Sequence, residues 1–240
     1  MDFKKSLLNC TIVELRPHFS VKIPTVGEIL EDEAAYYRMV SSLTATPFQY
    51  MVPLDDMGID SFKITDYELF KLVFPVYARS DLSLLFGDLK TDDFDVYLDP
   101  SSGTQILYSP FNRIAIDELL YNDLVGMIRK MHLLEKNNQK PGNPSARKYL
   151  LEKERKKLKR NSKKPYEPYL EKLVVALVNT CEFPYDYNSC MNLSIYRFNQ
   201  SFKQIQHKIS FDKTMIGVYS GTVDTSKLSS KEALTWIPNK

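Results

Sequence analysis

The chain has 240 residues, 43% hydrophobic and 12% aromatic, which is enough to build one large core or two small ones. Its longest uninterrupted apolar run, Leu173 to Val178, falls far short of the roughly 20 residues that cross a bilayer, so no transmembrane helix or membrane partner is expected. The formal net charge of +2 hides an uneven distribution: residues 1–136 hold 13 basic and 21 acidic side chains, residues 137–166 hold 11 and 2, and residues 167–240 hold 8 and 7. This divides the chain into an acidic N-terminal part (1–136), a basic helical connector (137–166) and a helical C-terminal part (167–240), the outer two able to share one core.

Lys4 and Lys5 precede a short apolar stretch, but Asn9, Thr11 and Glu14 interrupt it and no small-residue cleavage site follows. The N-terminus is therefore read as mature and the protein as cytoplasmic. From Cys10 to Ile23 the chain is rich in β-branched residues, partly alternating and broken by Pro17, which predicts a short pair of strands. Thr25 and Glu28 then form a capping box, in which each side chain accepts from the other residue's free backbone N–H. A helix over about 26–43 follows, with Ile29, Tyr36, Val40 and Leu43 as its buried stripe. Glu28, Glu31, Asp32 and Glu33 suit the positive end of its dipole.

Thr65 and Glu68 repeat the box and open a helix that Pro75 should end or kink, with Leu69, Leu72 and Val73 on its apolar side. Asp93 to Leu98 and Thr104 to Tyr108 flank the turn-forming stretch from Asp99 to Gly103, which predicts a β-hairpin. Ile116, Leu119, Leu120, Leu124, Met127, Ile128, Met131 and Leu134 then recur at helical spacing. The polar stretch 137–143 ends in an Asn143 N-cap followed by Pro144 at the first helical position. The segment 147–164, with ten Lys/Arg against two Glu, is therefore helical from its start, and the step from Leu151 to Leu158 gives it a narrow apolar seam.

A helix over 169–179 is apolar on nearly every side and is expected to be buried. Met191, Ile195, Phe198, Phe202, Ile205 and Ile209 alternate spacings of four and three, the seam of a coiled coil. At under three heptads, that seam fits packing within the chain as well as a helix offered to a second copy in a homo-oligomer. Ser229 to Glu232 forms a last capping box, opening a short C-terminal helix. The fold class is α+β, predominantly helical.

No convergent catalytic set is visible. His18, His132 and His207 lie more than 70 residues apart, with no metal-ligand spacing around them. Cys10, Cys181 and Cys190 read as buried free thiols in a reducing compartment. Asp55-Asp56 and Asp92-Asp93-x-Asp95 read as solvated acidic turns rather than cation sites, and a hydrolase built on the second is the least supported reading. Glycine-rich phosphate loops and nucleophile elbows are absent from the sequence. The expectation is a non-enzymatic protein with no catalytic residue, cofactor or metal.

The basic run carries the functional question. Arg147, Lys148, Lys153, Arg155, Lys156, Lys157, Lys159 and Arg160 could form a solvated arm, dock on an acidic protein, or neutralise nucleic-acid phosphates. Against nucleic acid, no aromatic residue interleaves the run after Tyr149 to stack on bases. These eight residues, with Met191, Ile195, Phe198, Phe202 and Ile205, are the candidate partner-binding set.

Several strings together carry a family resemblance: IPTVGEI at 23–29, LDDMGID at 54–60, KPGNP at 140–144, LVVALVN at 173–179, IYRFN at 195–199 and MIGVYSGTV at 215–223. The chain resembles poorly characterised proteins of phages and prophages of Gram-positive bacteria encoded among tail and baseplate genes. The resemblance implies a tail or baseplate assembly factor, chaperone-like, that binds other tail proteins. It would act in the host cytoplasm during assembly, and retention in the virion tail is left open. It brings no catalytic residues to transfer.

Overall fold

The computed structural model describes residues 3–100, 103–136, 143–228 and 231–237. Among them, ten helices and two small antiparallel sheets make an α+β protein that is 52% helical. No helix among the described residues is long and apolar enough to cross a membrane.

Strands β1 (Ile12–Arg16) and β2 (Phe19–Lys22) pair antiparallel across Pro17 and His18, whose φ of 66° reverses the chain. The Thr25 hydroxyl accepts from Glu28 N–H at 3.3 Å, and the Glu28 carboxylate accepts from Thr25 N–H at 2.8 Å, opening α1 (Val26–Glu31). The single helix expected over 26–43 is broken at Asp32. Instead of serving only the dipole, the Asp32 carboxylate accepts from Ala35 N–H at 2.9 Å and caps a second helix, α2 (Glu33–Leu43). Ile29, Tyr36, Val40 and Leu43 are buried, as their spacing predicts.

After the short α3 (Met51–Asp56), the second capping box opens α4 (Asp66–Tyr77), which ends two residues past Pro75. Its buried side is Tyr67, Leu69, Phe70 and Phe74, whereas Leu72 is exposed and Val73 half-buried. The rings decide this: Phe70 lies 4.8 Å from Tyr121, and Phe74 lies 5.6 Å from Phe94, centroid to centroid.

Helix α5 (Ser83–Phe86) leads to the hairpin of β3 (Asp95–Leu98) and β4 (Gln105–Ser109). Gly103, at φ +67°, closes its turn; Ser101 and Ser102 lie outside the described residues. A third strand, β5 (Ile114–Ile116), joins β4 and claims Ile116 from the expected helical stripe. Helix α6 (Glu118–His132) starts only after Asp117, whose carboxylate accepts from Leu120 N–H at 2.8 Å. It buries Leu120, Leu124, Met127, Ile128 and Met131, but leaves Leu119 exposed.

Asn143 caps α7 (Pro144–Asn161), its side chain accepting from Ala146 N–H at 2.7 Å; the connector residues 137–142 lie outside the described residues. Helix α8 (Leu170–Val178) is amphipathic rather than buried all round. Leu170, Val174 and Leu177 face the core, while Val175 and Ala176 face solvent.

The 191–209 seam spans two helices, α9 (Tyr187–Met191) and α10 (Ile195–Tyr219), separated where the Ser194 hydroxyl caps α10. A 3-10 turn at Lys231–Leu234 packs on α10; Ser229 and Ser230 of the expected capping box lie outside the described residues.

One hydrophobic cluster runs from Leu7 and the first sheet through α1, α2, α4 and α6 into α8, α9 and α10. The N- and C-terminal parts meet backbone to backbone as well, through Val26 N–H to Leu193 O at 2.9 Å and Ile195 N–H to Pro24 O at 2.8 Å. Of the three thiols, Cys190 is buried and pushed up in pKa by that burial, and Cys10 is half-buried. Cys181 is exposed, against expectation, because it follows α8 on a surface turn.

Candidate functional site

No side chain of α7 is buried, and a helix this polar needs something other than a core to hold it. Two arginines supply it. The Arg147 guanidinium donates to both carboxylate oxygens of Asp60, at 2.9 and 2.7 Å, and its central carbon sits 4.9 Å from the Phe62 ring centroid. Arg155 donates to Asp55 at 2.6 Å and to Asp56 at 2.5 Å, at the C-terminal end of α3.

The electrostatics follow the geometry. The backbone N–H of Phe62, with Arg147 beside it, holds the Asp60 carboxyl below the usual range. Hydrogen bonds to Asp56 and Asp55 raise Arg155 further above its ordinary value. Asp55 and Asp56 thus receive an arginine of the same chain, and Leu151, halfway between the two anchors, is half-buried.

The rest of the basic set points elsewhere. Lys148, Lys153, Lys156, Lys157, Lys159 and Arg160 are exposed. Lys157 pairs with Glu154 of the same helix at 3.4 Å. Among the described residues, Lys153, Lys156 and Arg160 make no ion pair. Tyr149, Glu152, Lys153, Lys156, Lys157 and Arg160 line an open groove of about 400 Å³ along the solvent side of the helix.

After α7 the chain is tied back by Glu33, at the start of α2. Its Oε1 accepts from the Tyr166 hydroxyl and Tyr169 N–H, each at 2.7 Å, and from Leu170 N–H at 3.0 Å. Burial alone would raise the Glu33 pKa, but the N–H groups of Leu170 and Tyr169 and the Tyr166 hydroxyl hold it below the usual range. An N-terminal carboxylate thereby caps α8 of the C-terminal part. By position Glu33 suits the dipole of its own helix, but its hydrogen-bond partners lie more than 130 residues away.

The seam residues take a different position. Ile195 and Phe198 are 0% exposed and Ile205 is 8% exposed, all inside the chain's own core, so they offer no surface to a partner. Met191 and Phe202 are half-buried against that core. The same four-three register continues past Ile209 to Ile216 and Tyr219, which are 68% and 84% exposed. Helix α7 packs on α3 and α10 packs on α6, so the two halves of the candidate set do not form one site.

Elsewhere, two neighbouring grooves of about 480 and 700 Å³ share Asp66, Tyr121, Asn122 and Lys136, with the Lys136–Asp66 ion pair between them. Among the described residues, no three His, Cys, Asp or Glu side chains are grouped to hold a metal ion.

These features define a mostly helical α+β protein with one charged helix strapped to its acidic side. Residues 159–239, from the end of α7 through α8, α9 and α10, match a family described as YomV second domain, which is prophage-associated and supports a phage protein. No curated protein and no solved structure matches the chain.

Proposed function

We propose that this is a phage protein that serves tail or baseplate assembly by binding other tail proteins, chaperone-like and without catalysis or a cofactor. It would work in the host cytoplasm during assembly. The prophage-associated match supports the setting, and the outward face of α7 carries the reading. Arg147 and Arg155 are engaged within the chain, and this turns Lys153, Lys156 and Arg160 away from the body without ion-pair partners among the described residues. Such a surface favours an acidic protein and sets its approach by charge.

Co-expression with phage tail and baseplate proteins, followed by size exclusion, tests this reading. Co-elution at low salt that weakens as salt rises is expected. Absence of co-elution at both low and moderate salt would sink it.

Nucleic acid is the second reading, favoured by the six exposed Lys and Arg of α7 beyond the two anchors. Retention of duplex and single-stranded nucleic acid measured against salt decides it. A flat or absent response removes nucleic acid from consideration.

A further inference from the structure

The two sides of α7 are nearly opposite. At about 100° per residue, Arg147, Leu151, Arg155 and Leu158 fall on one line of the helix, and Tyr149, Lys153, Lys156 and Arg160 fall on a line close to 180° away. Arg147 and Arg155 of the first line meet Asp60 and the two α3 aspartates, while the second line borders the open groove. Tyr149, Lys153, Lys156 and Arg160 are spaced four, three and four residues apart, a straight stripe about 16 Å long.

We propose that this stripe receives an acidic amphipathic helix of a partner protein, laid along α7 with carboxylates at the matching four-three-four spacing. The inference rests on the reading of α7 as a protein-binding surface and names the partner's chemistry. Three observations favour a helix over a phosphate backbone. The other side of α7 already holds the end of a helix by its carboxylates, through Arg155 on Asp55 and Asp56 of α3. The groove is mixed rather than uniformly basic: Glu152 lines it among the cations and would repel an unbroken run of phosphates. Tyr149, 65% exposed at one end of the stripe, offers an apolar face to a side chain of the partner helix.

Single exposed ion pairs contribute little, so affinity comes from the three cations and Tyr149 acting together, and it falls steeply with salt.

The test uses the full-length protein with three labelled probes. One is a synthetic helical peptide with glutamates at four-three-four spacing, the second has the same composition with the glutamates dispersed round the helix, and the third is a short DNA duplex. In fluorescence anisotropy at ~0.1 M salt, the patterned peptide is expected to bind about tenfold or more tighter than the dispersed one, equivalent to ~1.4 kcal/mol. The triple variant Lys153→Glu, Lys156→Glu, Arg160→Glu should lose this binding. The control variant Lys172→Glu, Lys213→Glu, which reverses exposed charges on α8 and α10, should keep it within about threefold, since exposed charges away from a contact have small effects.

Equal binding of the two peptides, tighter binding of DNA than of the patterned peptide, or no peptide binding would each overturn the proposal. If the tail proteins still co-elute when the peptide test fails, the acidic helix is wrong and the assembly reading stands. If co-elution fails too, both fall.

Discussion

Helices α7 and α10 are both long, and they are held by opposite means. The first half of α10 is held by the core, with Ile195 and Phe198 fully enclosed, whereas α7 encloses nothing and is held by Arg147 and Arg155 on three aspartates. Burial makes a helix inseparable from the fold. Exposed ion pairs place a helix without making the fold depend on it, and that is the better arrangement for a surface that must meet a partner.

The contrast breaks first at the core. Phe198→Ala should cost about 3–5 kcal/mol, the usual range for emptying a buried phenylalanine site. Urea unfolding measures it, and a cost near zero would mean that α10 is not enclosed as described.

Acid should act through His132, at the C-terminal end of α6. Burial lowers His132 from its ordinary 6.5 to about 4, and its Nε2 lies 2.8 Å from the Tyr36 hydroxyl. A histidine depressed in the folded state stabilises fully above its unfolded pKa, and that contribution is lost as pH falls through the folded value. Between pH 6.5 and about 4, stability should drop by about 3 kcal/mol on this account. Unfolding curves across this range, compared with those of His132→Gln, check the slope, which the variant should flatten.

The junction between the N-terminal part and α8 is intermediate. Glu33→Ala would strip acceptors from Tyr166, Tyr169 and Leu170 together. A loss of about 2–3 kcal/mol is expected from leaving such donors without a charged acceptor. Because the Glu33 pKa is lowered, its contribution is present above the ordinary carboxylate range and fades as pH falls through the lowered value.

Smallest of all is the effect of detaching α7. Arg147→Glu with Arg155→Glu should leave the urea unfolding midpoint nearly unchanged, because exposed ion pairs contribute little. Limited proteolysis should nevertheless cut α7 in the variant well before the rest of the chain.

What could be read from the sequence followed the range of the interactions. Caps act over three residues, so the boxes at Thr25 and Thr65 and the Asn143 cap were legible, and they start α1, α4 and α7 where expected. Strand β5 was not. Three residues carry no period, and Ile116 fits the helical spacing that follows it; the overlooked signal was Asp117, a cap placed one residue later. The seam misled in a similar way, since Met191 keeps the register of α10 across a break at Ser194 that hydrophobic spacing cannot show.

For the candidate site, charge complementarity was visible, but its pairing was not. Arg147 and Arg155 meet aspartates 87 to 100 residues away, and nothing local marks two of ten cations as anchors. The exposed face of α7 is defined by what those two residues leave over.

Hydrogen exchange of α7 amides against those of residues 195–205 in α10, at ~0.05 M and ~1 M salt, separates a helix held by charge from one held by burial, because screening shortens from about 14 to 3 Å over this range. Exchange in α7 should quicken with salt while the α10 stretch stays constant. An α7 whose protection is indifferent to salt, or moves in step with α10, would contradict this.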